Sequence, residues 1–174
     1  ANTTASNNTA VGHQALLSNT TGTENLAVGS LSLDANTTAS YNTAIGKSAM
    51  TATTTGAFNT AVGRNAGAAN TTGYGLSALG ERALHTNTTG FNNVGLGQLA
   101  LGSNTTGSSN VAVGTFALDA NTTASNNTAV GHEALGANTT GTENVAVGST
   151  ALDALAQTRQ HPTTLRLGIK PFFQ

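Results

Sequence analysis

The amino-acid sequence predicts an all-β fold, a parallel β-solenoid (β-roll) of nine 17-residue rungs with a non-repeat C-terminal strand. Three observations lead there. Glycine recurs at Gly12, Gly29, Gly46, Gly63, Gly80, Gly97, Gly114, Gly131 and Gly148, always 17 residues apart. Paired threonines keep the same spacing, from Thr3-Thr4 and Thr20-Thr21 to Thr139-Thr140. Residues 2–154 hold nine copies of N-T-T-G-x-x-N-x-A-V-G-x-x-A-L-x-x without insertion or deletion. Constant length is what stacking demands, because one extra residue would displace every later rung.

Helical repeats need about 33 residues or more, and Thr, Asn and Gly are poor helix formers. Short strands and turns fit the period. N-T-T-G carries turn chemistry, with Asn bonding its own backbone and Gly supplying positive φ. N-x-A-V-G is strand-like, and a second short strand is expected through x-A-L. Stacked about 4.8 Å apart, nine rungs give a rod roughly 43 Å long.

The columns identify an expected core. The residue before each Gly is always apolar, from Val11, Val28 and Ile45 to Val147. Four residues after the Gly runs a second column, Leu16, Leu33, Met50, Leu84, Leu101, Leu118, Leu135 and Leu152, broken at Gly67. Two alanine columns, begun by Ala10 and Ala15, accompany them. Each rung is expected to bury both medium-sized residues and both alanines, a narrow core that neighbouring rungs must complete. The two positions after each Gly vary freely and form an exposed corner. Asn8, Asn25, Asn42, Asn59, Asn93, Asn110, Asn127 and Asn144 predict an amide ladder inside the turns.

The chain divides into the repeat array, 1–154, and a capping or subunit-connecting segment, 155–174. In the latter Leu165, Leu167 and Ile169 alternate onto one face, Pro171 ends the strand, and Phe172-Phe173 add two large apolar groups. Solenoid ends are rows of unpaired backbone groups that need covering. The segment either caps its own coil or docks, through Leu165, Leu167, Ile169, Phe172 and Phe173, on the first rung of another copy. Residues 1–35 and 120–154 match at 29 of 35 positions, as a duplication inside the array would leave them and as two ends that meet would require.

Composition narrows the function. Thr, Ala, Gly and Asn number 32, 29, 21 and 20, more than half of 174 residues, while charged residues are 7% and aromatics 4%. That leaves few groups for catalysis, so no enzyme and no cofactor are expected. The array carries three Lys/Arg against seven Asp/Glu, and the tail adds Arg159, Arg166 and Lys170. No basic stripe faces a phosphate backbone, so no nucleic acid is expected. No apolar run has the length of a membrane span and no N-terminal signal segment is read, so no membrane insertion is expected; the chain opens on Ala1-Asn2-Thr3-Thr4 as a mature or excised piece would. Cysteine is absent, which leaves the compartment open.

The words Asn110-Val111-Ala112-Val113-Gly114 and Asn144-Val145-Ala146-Val147-Gly148 resemble the S-V-A-I-G core of YadA-type heads of trimeric autotransporter adhesins. The N-T-A-V-G-x-x-A-L-x-x-N-T-T-G phrasing is also similar to repeats of phage tail-fibre and bacterial surface proteins. The resemblance spans residues 2–154. It implies a left-handed parallel β-roll, three chains side by side, exposed on a cell or virus surface for attachment. Adhesin-head repeats are usually a few residues shorter, and no stalk, anchor or neck motif accompanies these.

His13, His85, His132 and His161 stand apart from carboxylates in the sequence and read as corner or loop residues. Asp34, Asp119 and Asp153 share a column but not adjacent rungs, and the G-G-x-G-x-D calcium repeat is absent, so no metal is expected. The N-x-[ST] rule is met at Asn2, Asn7, Asn19, Asn36, Asn70, Asn87, Asn104, Asn121, Asn126 and Asn138. These asparagines either cap turns beside a ladder of threonine hydroxyls or carry glycans, which rungs about 4.8 Å apart would crowd. Each Thr-Thr pair should offer one outward row, where an ice-binding face wants a second regular row beside it. The expected function is therefore mechanical: a self-associating extracellular, cell-surface or virion fibre rod, joined head-to-tail through its C-terminal segment. The alternative is an adhesin-like trimer binding matrix or carbohydrate, and an ice binder comes third.

Overall fold

A computed structural model describes residues 4–153 and 165–167. It is a parallel β-solenoid. Each repeat supplies one three-residue strand: β1 (Thr9–Val11), β2 (Leu26–Val28), β3 (Thr43–Ile45), β4 (Thr60–Val62), β5 (Ser77–Leu79), β6 (Val94–Leu96), β7 (Val111–Val113), β8 (Thr128–Val130) and β9 (Val145–Val147). They pair in sequence order in one parallel sheet, and the register advances by one repeat at every step, Thr9↔Leu26, Leu26↔Thr43, Thr43↔Thr60. A tenth strand, β10 (Leu165–Leu167), adds to β9 in parallel with Arg166 opposite Ala146. It follows β9 by 20 residues rather than 17.

The second strand expected through x-A-L does not form. Residues 30–35 and their counterparts are turn. Leu31 and Leu33 sit at φ 61° and 49°, and both columns keep left-handed backbone in every coil, including Leu101 at 54° and Leu118 at 51°. Left-handed backbone costs an ordinary L-residue about 1–2 kcal/mol. Two gains offset it. Burying a leucine side chain is worth about 1.5–3 kcal/mol, and Leu33, Leu84, Leu101 and Leu118 are fully buried. The turn amides also bond the adjacent coil, as Leu33 N–H does to the Ala49 carbonyl at 3.1 Å.

The recurrent glycine is fixed by two demands. Gly80 has φ 134°, and a Cβ there would lie 2.6 Å from the Gly97 carbonyl oxygen of the next coil. No other residue type meets both conditions.

The core is narrower than the sequence implied. It consists of the two alanine columns and the Leu column, joined by Leu76 where the strand-side asparagine column is interrupted, with Met50 filling toward the space that Gly67 leaves. The Val column is not part of it, which corrects the expectation. Successive strand residues face opposite ways; Ala44 is fully buried, so Thr43 and Ile45 face outward.

Two asparagine ladders replace the missing apolar volume. In the strand-side column, Asn42 N–H donates to Asn25 Oδ1 at 3.0 Å, and Asn42 Nδ2 donates to the Gly56 carbonyl of the next coil at 2.9 Å. In the N-T-T column, Asn121 Nδ2 donates to Asn104 Oδ1 at 2.9 Å and to the Ala124 carbonyl at 3.0 Å. The two ladders converge on one carbonyl per coil: Gly107 accepts from Asn93 and Asn104 at 2.7 and 2.9 Å. Buried amides are thereby satisfied coil by coil, except the Asn36 oxygen below Thr53.

Candidate functional site

The surface, rather than a cavity, holds the features that could act on a partner. On the outer face of the sheet the side chains at both ends of each strand from β1 to β9 point away from the core. The column Val11, Val28, Ile45, Val62, Leu79, Leu96, Val113, Val130 and Val147 contains no polar residue. Interior members such as Ile45 and Val130 are 37% and 36% exposed. Beside it run Thr43, Thr60, Ser77, Val94, Val111, Thr128 and Val145, again uncharged. The result is an uncharged, largely β-branched stripe along the coil, repeating at the coil spacing.

A second feature lies at one edge. Tyr41 and Phe58 stack with ring centroids 4.9 Å apart, and Tyr74 and Phe91 stack at 5.1 Å. All four rings are exposed and come from four successive coils.

The expected glycan acceptors separate into two groups. Asn19, Asn36, Asn70, Asn87, Asn104, Asn121 and Asn138 are buried, between 0 and 8% exposed. Their Nδ2 atoms, where a sugar would attach, point into the coil; that of Asn104 bonds Asn87 Oδ1 and the Gly107 carbonyl at 2.8 and 2.9 Å. N-linked attachment to the folded coil at these seven positions is excluded by that geometry. Asn7 and Asn126, by contrast, are exposed at φ 60° and 63°. Asn2 lies outside the described residues.

The threonine pair divides its work. The first Thr bonds the next coil, Thr88 Oγ1 to the Thr105 carbonyl and Thr105 Oγ1 to the Thr122 carbonyl, both 3.0 Å. The second, from Thr21 to Thr140, is exposed in every coil and forms a single outward row.

His13 and His132 are exposed, and His85 is half-buried with Nδ1 3.3 Å from the Asn65 carbonyl. His161 lies outside the described residues. Asp34 accepts from Thr51 Oγ1 at 2.5 Å. Asp119 borders a shallow open groove with Phe116, Glu133 and Asp153. Burial raises its carboxyl above the ordinary aspartate range, and nearby Arg82 partly restores it. Among the described residues no three His, Asp or Glu gather closely enough to hold a metal, and no helix is long and apolar enough to cross a membrane. Of the expected subunit contacts, Leu165 and Leu167 lie in register with Val145 and Val147, while Ile169, Phe172 and Phe173 lie outside the described residues.

Sequence reasoning missed the outward stripe and the ladder in the N-T-T column. The signal for both was present: Asn, Ala and Asn are nearly constant at the inward positions, whereas the residues between them vary. Compared with known proteins, the chain matches no family model, no curated protein and no solved structure.

Proposed function

We propose that this chain is a structural, self-associating rod of an extracellular, cell-surface or virion fibre. The observation that carries this reading is the uncharged outer stripe, whose natural occupant is a second copy of the same coil. Its period equals the coil spacing, so an identical stripe matches it at every rung, whereas an unrelated surface would meet it at scattered points. No charge at either column opposes close approach. Contiguous exposed apolar surface of this kind marks association, and closed symmetric assemblies are its usual outcome.

The test is substitution on the stripe. Val62→Lys with Val113→Lys places two cations in it without touching the alanine, leucine or asparagine columns. The double variant is expected to fold with a midpoint within about 0.5 kcal/mol of wild type. Native mass should fall to one chain, where wild type gives more. A wild type that is already one chain at high concentration would sink the reading.

The exposed rings favour a second reading, an adhesin-like trimeric module binding matrix or carbohydrate. Tyr41, Phe58, Tyr74 and Phe91 give it a patch with apolar area and, in the tyrosines, a polar tip. Replacing Phe58 and Phe91 by Ser should then abolish retention on carbohydrate or matrix supports and leave the mass unchanged. Glycans at exposed Asn7 and Asn126 or on the outer threonines remain compatible with either reading; an intact mass equal to 17.2 kDa would remove them.

A further inference from the structure

We infer that a second face of the rod, the turn face that follows the valine column, pairs with the same face of a second copy running the opposite way, about a two-fold axis at Leu99. This adds a contact to the rod reading and rests on it.

The face is built by the first, second and fifth residues after each recurrent glycine. Those positions hold eight of the ten Lys, Arg, Asp and Glu between residues 1 and 154, so the charge pattern of the array is the pattern of this face. They lie close together in space. His85 Nδ1, at a fifth position, is 3.3 Å from the Asn65 carbonyl at a second. The Phe116 and His132 rings, at a second and a first, meet edge-on at 6.3 Å.

Along the face the charges are sorted. Three successive coils bring Lys47, Arg64 and Arg82, all exposed. The next coil is uncharged, with Gln98, Leu99 and Gly102. The three after it bring Asp119, Glu133 and Asp153, which border one groove. Both aspartates lean over a glycine of the preceding coil: a Cβ on Gly102 would lie 2.5 Å from Asp119 Oδ1, and one on Gly136 3.0 Å from Asp153 Oδ1. Arg64 is bonded to Glu81, while Lys47 and Arg82 hold no ion pair among the described residues. Asp34 stands one coil outside the sorted stretch and accepts from Thr51 Oγ1.

A two-fold axis through the Leu99 coil, perpendicular to the rod, turns this order into complementarity. Ser48 and Thr150, Asn65 and Glu133, and Arg82 and Phe116 are equally far in sequence from Leu99. The axis therefore brings Lys47 toward Asp153, Arg64 toward Glu133, and Arg82 toward Phe116 and Asp119 of the second copy, with Leu99 on Leu99. Opposed charges fix direction and register, and a guanidinium over a phenyl face adds to them. Arg64 keeps N–H donors beyond its bond to Glu81, and Glu81 itself falls opposite uncharged Thr115. Laid on itself in the parallel sense, the face would set cation against cation and carboxylate against carboxylate. A separate basic or acidic ligand answers one half of the face; a second copy answers both.

The contact is small. From Lys47 to Asp153 it runs six coil steps, roughly 29 Å, and three residues across, about 10 Å. Each partner gives roughly 300 Å², where a stable pair buries about 800 Å² a side. The face thus links chains already gathered through the uncharged flank, where several such contacts act together.

The chain has no cysteine, so one introduced thiol reads one level of the face. Ser48→Cys and Thr150→Cys mark levels six coil steps apart, too far to join within a chain or across a parallel pair. With a short bis-maleimide, a mixture of the two variants should give a linked product of twice the chain mass, and either variant alone should give none. Leu99→Cys, on the axis, should link to itself. Adding Lys47→Glu with Arg64→Glu to both chains should cut the mixed product at least about tenfold. Adding Glu133→Lys with Asp153→Lys as well should restore it, with circular dichroism of native shape throughout.

Linkage of Ser48→Cys or Thr150→Cys alone, with nothing gained by mixing, would mean a parallel face and overturn the inference. So would a mixed product indifferent to charge reversal. Should the reversed chains fail to fold, the cysteine mixture decides alone. No mixed product while the native mass stays above one chain would defeat this contact and leave the flank standing; single chains throughout would defeat both.

Discussion

Thr53 interrupts the N-T-T ladder between Asn36 and Asn70. Asn36 Oδ1 and Thr53 Oγ1 are buried without a hydrogen-bond partner, because the next member of the column lacks the amide that would donate upward. Asparagine at 53 supplies it and can also reach the Gly56 carbonyl, which otherwise receives Asn42. Thr53→Asn is expected to stabilise the coil by about 1 kcal/mol in denaturant unfolding, the worth of a recovered buried hydrogen bond. A loss of stability would show that the column is not a cooperative ladder. Asp119 makes a pH prediction. A carboxyl raised on folding favours the folded state while protonated, so its contribution is complete below the unfolded value near 3.8 and is lost as pH rises through the folded one. Asp119→Asn should therefore melt higher than wild type at neutral pH, with the gap closing as pH falls. A constant gap would assign the effect to packing.

At the scale of the element, the unit of stability is the whole coil, strand and turns together, because each bonds only its neighbours. Excising residues 87–103 removes one complete repeat and joins Thr86 to Asn104, leaving every column in register. The shortened chain is expected to fold, with circular dichroism of native shape and a midpoint slightly lower. Removing 88–103, one residue fewer, shifts all later columns and should abolish the cooperative transition; equal behaviour would mean that register is not what holds the rod. The period and the parallel stacking were legible for the same reason, since only stacking makes length invariant. The facing of the strand was misread because apolar residues are not always inside. Val113 is outward while Asn110 and Ala112 are buried, and the constant columns, rather than the most apolar ones, mark the interior. The turns were misread because leucine rarely adopts left-handed backbone; bonds to adjacent coils impose it at Leu84 and Leu101. N-T-T is ambiguous by its chemistry, as the amide that meets the acceptor rule is the same amide that builds a buried ladder.

The described coils form a rod whose outer surface includes an uncharged flank and an edge carrying stacked rings. A rod built this way resists bending through short-range bonds repeated in every coil, with a core of alanine and leucine only a few atoms wide. Its flank leaves apolar area in water that a parallel copy would cover. The most direct measurement is cryo-electron microscopy of the native chain over a range of concentrations. Particles of more than one chain are expected, axes parallel, in contact through the Val28–Val130 face. Single chains at every concentration, with that face bare, would contradict the reading of this chain as a self-associating rod.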